Sequence, residues 1–285
     1  MKKITFIFLV LFTVISCKKD EGTAPVLSFV VNARNMGSTP FTITAPVSES
    51  DGGFTYTSSN PAVATISGTT ITVTGAGQTT ITATQAASGS FASATTSATF
   101  EVLAQGAPLK LGQWYQGGIV FYLNATGGGL IISDQDVGYA PWSSGKLAIV
   151  GTELTFGTGL SNTDKIITSM GGQGDYAAWW ARNYKEGNYT DWYLPTVEDL
   201  AIIRSRMDVI GGLKQTNYWC STEYNISQTG TGTPISHAYF IYFGPYLKDS
   251  SNFTNRGKLY DGQTIWINNT FKEKFRFNVR AVRSF

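Results

Sequence analysis

The sequence predicts an all-β sandwich followed by an α+β domain, and three observations carry this. From Pro25 to Leu103 the only charged residues are Arg34, Glu49, Asp51 and Glu101, while Thr, Ser, Ala and Val dominate. Inside that span Ile71 and Val73, then Ile81 and Ala83, alternate with threonines, the period of a strand that buries one face and wets the other. Beyond residue 113 come the tryptophans and most of the tyrosines, and apolar runs of strand length mix with helix signatures.

The chain opens with "MKKITFIFLVLFTVISC": two lysines, an apolar run from Ile4 to Ile15, then Ser16 and Cys17. This is the layout of a cleaved export signal, too short to span a bilayer comfortably. Val14-Ile15-Ser16-Cys17 resembles the lipobox of bacterial lipoproteins, which implies a signal over residues 1–17, acylation of Cys17 and a tether over 18–24. The "KKDEG" that follows resembles the tag that routes some such proteins to the outer face of the outer membrane, so the expected location is outer membrane, lipid-anchored and facing the exterior.

The count of 2 Cys then leaves Cys220 without a partner, so no disulfide framework is expected and stability must come from packed cores. Charged residues make up 14%, the formal net charge is +2, and no basic run follows the signal, which excludes a nucleic-acid partner on electrostatic grounds.

Taken in order, "FTYTSSNPAVATISGTTITVTGAGQTTITAT" reads as three short strands with turns at "SSNP", "SGT" and "GAGQ". Ser58 to Ala64, Gly75 to Gly77 and Ile81 to Thr84 resemble the recurring turns and strands of the bacterial immunoglobulin-like domains of group 2. The resemblance implies a sandwich over residues 25–104 that acts as a stalk. Residues 105–112, inside "LAQGAPLKLGQ", read as a linker.

In the second half, residues 113–285, "GGIVFYL" and "GGGLIIS" read as a hairpin joined through "NATGG". "NTDKIITSMGG" and "GDYAAWWARNYKEG" read as helices, the second with Asp175 as N-cap and Gly187 as its stop. A third helix starts at Thr196, with Asp199 three residues on in capping-box spacing and an apolar stripe at Val197, Leu200, Ile203 and Met207. Glu198 and Asp199 are therefore helix-start residues, committed to backbone N–H groups, with Asp199 expected at a lowered pKa. "FRFNVRAVRSF" reads as one terminal strand paired with "GGIVFYL", its polar face meeting solvent or acids. Tyr218, Trp219 and Trp192 are expected in the core, and Cys220 as a small buried filler.

Four landmarks in order, "GGIVFYL", "YTDWYLPTVEDL", "IGG...NYWCSTEY" and "FNVRAVRSF", resemble a bacterial family of C-type-lectin-like domains named for the C-terminal domain of a collagen-like adhesin. The resemblance covers about Leu111 to Phe285. It implies first and last strands that pair, two helices flanking a small twisted sheet, a long irregular insertion carrying the ligand surface, and adhesion without catalysis.

Catalytic alternatives lack residues. His237 is the single histidine, and a thiol site would need it to meet Cys220. The formylglycine-generating enzymes, of the same broad fold class, use a cysteine pair that this chain lacks. Calcium-dependent lectins carry a Glu-Pro-Asn or Gln-Pro-Asp triplet; here "WINN" at 266–269 stands without one, and Asp134 and Asp136 of "SDQDVG" lack the later bidentate acid. No enzyme activity, cofactor or metal is expected.

Binding remains. Between Glu223 and Asn269 the chain is rich in Tyr, Asn, Ser, Gly and Thr, the chemistry of adaptable recognition loops. The expected ligand-binding residues are Tyr224, Asn225, His237, Tyr246, Asn252, Tyr260 and Trp266, and the partner a glycan or an extracellular protein. The alternative is a structural subunit of an envelope or appendage assembly.

Overall fold

The computed structural model describes residues 22–146, 149–224, 237–244, 256–260 and 263–285; for 256–260 and 263–271 it describes the backbone. Among the described residues seven strands precede residue 104: β1 (Arg34–Asn35), β2 (Phe41–Thr42), β3 (Phe54–Ser58), β4 (Ala64–Ser67), β5 (Thr70–Val73), β6 (Gly77–Gln85) and β7 (Ala94–Leu103). They form two sheets, ordered β1-β7-β6-β3 and β2-β5-β4. The stretch read as three strands holds four, because "SGT" at 67–69 turns β4 straight into β5. Threonine alternation puts Ile71, Ile81, Phe100 and Val102 in one core with Val31, Ile43 and Val63.

The remaining strands build two further sheets. One is ordered β17-β10-β9-β8, from β8 (Trp114–Tyr115), β9 (Gly118–Leu123), β10 (Gly129–Ile132) and β17 (Val282–Ser284). The other contains β11 (Gly138–Ala140), β12 (Asn217–Tyr224), β13 (His237–Tyr242), β14 (Arg256–Tyr260), β15 (Gln263–Phe271) and β16 (Phe277–Val279), ordered β11-β16-β12-β13-β15-β14. Helices α1 (Gly159–Met170), α2 (Ala177–Asn183), α3 (Val197–Ser205) and α4 (Met207–Ile210) complete it. Trp142, Trp192 and Trp219 are fully buried, and so is Cys220, whose thiol burial pushes up to about 12.

Several local expectations are corrected by long-range contacts. The terminal segment is two strands, not one, and it does not pair with β9. Arg280 is buried at the break, where its guanidinium donates to the carbonyls of Ser133 and Gly212 and to Asp136, so the chain leaves one sheet for the other. β17 then pairs antiparallel with β10, one strand over from β9. The polar side chains of this segment do meet acids: Arg276 pairs with Asp175 and Arg283 with Asp191. Asp175 is not an N-cap; Tyr176 holds that position without a side-chain bond, and α2 stops at Asn183, before Gly187. The capping box of α3 is present, Thr196 Oγ1 accepting from Asp199 N at 3.1 Å and Asp199 Oδ2 from Thr196 N at 2.9 Å. Asp199, however, is fully buried, and burial outweighs these bonds and raises its pKa.

The two halves meet in a joint made of side chains from both. Asn32 directs its amide at the carbonyls of Gly112, Val209 and Ile210 at 3.0 to 3.1 Å. The Arg34 guanidinium lies 4.0 Å from the ring centroids of both Phe41 and Trp114, a cation held between two aromatic faces. Burial there lowers the Arg34 pKa to about 10. Trp114 N donates to Ala33 O at 2.9 Å, and Gln113 donates to Asn35 at 3.0 Å. Gly211, at φ 71°, packs so closely that a Cβ would stand 2.6 Å from that of Val30.

Candidate functional site

The site is best built from β12, whose sequence "NYWCSTEY" is buried from Tyr218 to Glu223 and surfaces at Tyr224. An acid in so apolar a strand needs partners. The Glu223 carboxylate accepts the backbone N–H groups of Val150 at 2.9 Å, Gly151 at 2.7 Å and Thr152 at 3.3 Å, and forms an ion pair with Lys272. Lys272 is fully buried, its ammonium 4.6 Å from the Trp142 ring centroid. Trp142 N in turn donates to Lys272 O at 2.8 Å, and its indole donates to Cys220 O at 2.8 Å. Charge, ring and three amides thus lock the segment at 150–152 to the sheet.

One residue on, where the side chain leaves on the other face of β12, Tyr224 stands opposite His237, the first residue of β13. Both are half-buried, and the Tyr224 ring meets that of Tyr239 edge to face at 5.2 Å. Burial, reinforced by the Lys272 cation and opposed by Glu273, holds the His237 pKa below its ordinary value. At neutral pH the ring is uncharged and carries one donor and one acceptor.

Beside the ion pair lies an open cleft of about 740 Å³ between the segment at 149–150 and the outer face of α1, lined by Ile149, Val150, Leu160, Ser161, Asp164, Lys165, Thr168 and Ser169. Val150 belongs to both features, so Glu223 fixes one wall of the cleft. Ile149 and Leu160 are exposed, as is Leu154 nearby in sequence.

Of the expected ligand residues, the structure brings Tyr224 and His237 together. Tyr260 and Trp266 lie on the paired strands β14 and β15, opposite Gln263 and Gly257, so this part of the expected irregular insertion is a hairpin. Asn225, Tyr246 and Asn252 lie outside the described residues, as does Cys17. The Cys220 thiol is fully buried and donates to Tyr239 O at 3.1 Å. Asp136 is taken up by Arg280 at 2.9 Å and Lys214 at 3.0 Å. Among the described residues no group of three His, Cys, Asp or Glu side chains is placed to hold a metal ion.

Sequence reasoning missed Glu223, Lys272 and Trp142 as a unit. The available signal was a lone acid inside "NYWCSTEY", which a buried strand does not tolerate unpaired.

Residues 37–99 match the family model described as Bacterial Ig-like domain (group 2), and this part of the chain is an immunoglobulin-like domain of that group. No curated protein matches the chain.

Proposed function

We propose that this chain is a non-catalytic surface lipoprotein, anchored through Cys17, whose second half is a C-type-lectin-like domain that binds a glycan or an extracellular protein. The observation that carries the reading is the half-buried Tyr224–His237 pair at the end of the β12–β13 ladder, where the buried ion pair of Glu223, the residue before Tyr224, with Lys272 fixes the strand that presents it. Rigid support beneath adaptable polar and aromatic groups is what recognition requires. The closing of the second half by β17 beside the β9–β10 hairpin, with helices packed on the sheets, supports the lectin-like part of the reading.

The chain from residue 18 onward, probed against glycan and matrix-protein arrays, is expected to give a hit that Tyr224→Ala and His237→Ala each weaken by about 1 to 3 kcal/mol. Their melting temperatures should stay close to that of the parent. Parent-like binding by both variants would remove the site from this face. Separately, Cys17→Ala is expected to shift the protein from the detergent phase to the aqueous phase, and unchanged partitioning would end the lipid-anchor reading.

A second reading, a packing subunit of an envelope assembly, is favoured by one observation. Ile149 and Leu160 expose apolar side chains at the cleft, and Leu154 is exposed as well. Concentration-dependent self-association without any array hit would select it.

A further inference from the structure

We propose that the outer face of α1 is a self-association surface, on which a second copy of this chain seats its own α1 antiparallel about a twofold axis passing between Asp164 and Lys165. The dimer draws only its biological sense from the recognition reading: two heads side by side would bind one surface with the avidity of both.

The surface is one feature of the fold. Leu160, Ser161, Asp164, Lys165, Thr168 and Ser169 all line the same cleft, whose other wall is Ile149 and Val150. Leu160 is 40% exposed and Ile149 61%, so both walls leave apolar area in water. The two charges flank the face. Successive residues of a helix stand about 100° apart, which turns Asp164 toward α2, where Arg182 Nε lies 3.3 Å from its carboxylate. Lys165 turns the other way, donating to Gly151 O at 3.1 Å and pairing with Glu153 at 3.3 Å. The segment that carries Ile149 and Val150 therefore stands on the Lys165 side.

A twofold axis through the midpoint exchanges residues at equal distances from it, so that Asp164 of one copy comes over Lys165 of the other, Ser161 over Thr168, and Leu160 over Ser169. Acid meets base twice. The centre line of the face holds Ser161 and Thr168, whose short side chains let the helix axes close to the about 8 to 10 Å of packed helices and whose hydroxyls both donate and accept. The same exchange carries Leu160 of each copy to the Lys165 side of the other, the side of Ile149 and Val150, so apolar area left in water by the single chain is covered in the pair. Arg182 and Asp164 of one copy then run into Lys165 and Glu153 of the second, four charges alternating in sign. These exposed pairs set register and partner choice more than affinity. One face of a 12-residue helix, about 18 Å long, falls short of the roughly 800 Å² per partner of a standard interface. The pair is weak in solution.

Sedimentation equilibrium of the chain from residue 18 onward tests this. The parent should pass from monomer to dimer with a midpoint of about 10 to 100 µM. Asp164→Lys and Lys165→Asp each set like charges across the axis, and each alone should raise that midpoint roughly tenfold or more. A one-to-one mixture of the two variants restores both acid–base contacts and should dimerise as the parent does, a result that a contact elsewhere on the chain does not give. Leu160→Ser should weaken the parent dimer roughly tenfold without moving the melting temperature. Variants that dimerise like the parent, or a mixture no stronger than its components, overturn the proposal. An array hit from a parent that stays monomeric also overturns it and leaves the recognition reading standing. A dimer that forms without any array hit supports the α1 surface and counts against the recognition reading.

Discussion

Lys272→Met is expected to destabilise the protein by about 3 to 5 kcal/mol, because it leaves the Glu223 carboxylate buried without its counter-ion. Methionine matches the lysine stem in length and would lie under Trp142 without a clash, so the loss would report the charge rather than the shape. The three backbone N–H bonds to Glu223 soften the penalty but supply no full positive charge. Urea unfolding of the variant, with an unchanged slope and a lower midpoint, would measure the effect. The double variant Lys272→Met with Glu223→Gln should recover a large part of it, since removing both charges removes the cost of burying one alone. A loss below about 1 kcal/mol in the single variant would mean that the carboxylate finds water or takes up a proton, and that the ion pair does not fix the end of β12.

Trp219→Ala is expected to cost a similar amount, about 3 to 5 kcal/mol, as a large-to-small change at a fully buried ring. Trp219 lies on β12, inside the six-stranded sheet, with its centroid 4.5 Å from that of Phe277 and 6.0 Å from that of Phe240. Its indole also donates to Ala140 O at 2.9 Å, so truncation orphans a buried carbonyl as well as opening a cavity. Trp219→Phe should lose less, keeping most of the ring contacts and forfeiting the bond. Calorimetric melting of both variants orders the two contributions. Equal losses would assign the effect to the hydrogen bond, and a negligible loss in both would show that the sheet repacks around the hole.

What was readable in the sequence was what short-range chemistry decides. The capping box of Thr196 and Asp199 needs only residues three apart, and the β9–β10 hairpin needs only a turn between two apolar runs. The alternation of threonine with Ile71 and Ile81 likewise follows from the period of a strand. What was not readable depends on partners far along the chain. Asp175 looked like a helix cap because its partner Arg276 is 101 residues away. The last eleven residues looked like one strand because nothing local shows that Arg280 is drawn inward by carbonyls of two distant loops. Asp199 was read at a lowered pKa because its capping bonds are local, whereas the burial that raises it comes from the whole core. Of the candidate site, Tyr224 and His237 were named as separate residues. Their juxtaposition is a property of the sheet, visible only once β12 and β13 are side by side.

The joint between the halves changes what a pull on the molecule would do. Asn32 and the Arg34 sandwich tie the stalk to the head across Gly112, Val209 and Trp114, so residues 105–112 do not act as a free hinge. A load applied at the head would then pass to the stalk through Asn32 and through Arg34, which lies on β1 beside β7. Stalk and head then turn as one body, to which Thr23, bridged to Phe91 and contrary to a tether running through residue 24, already belongs. The Tyr224 face is then held at a fixed angle to the stalk, which trades search volume for orientation.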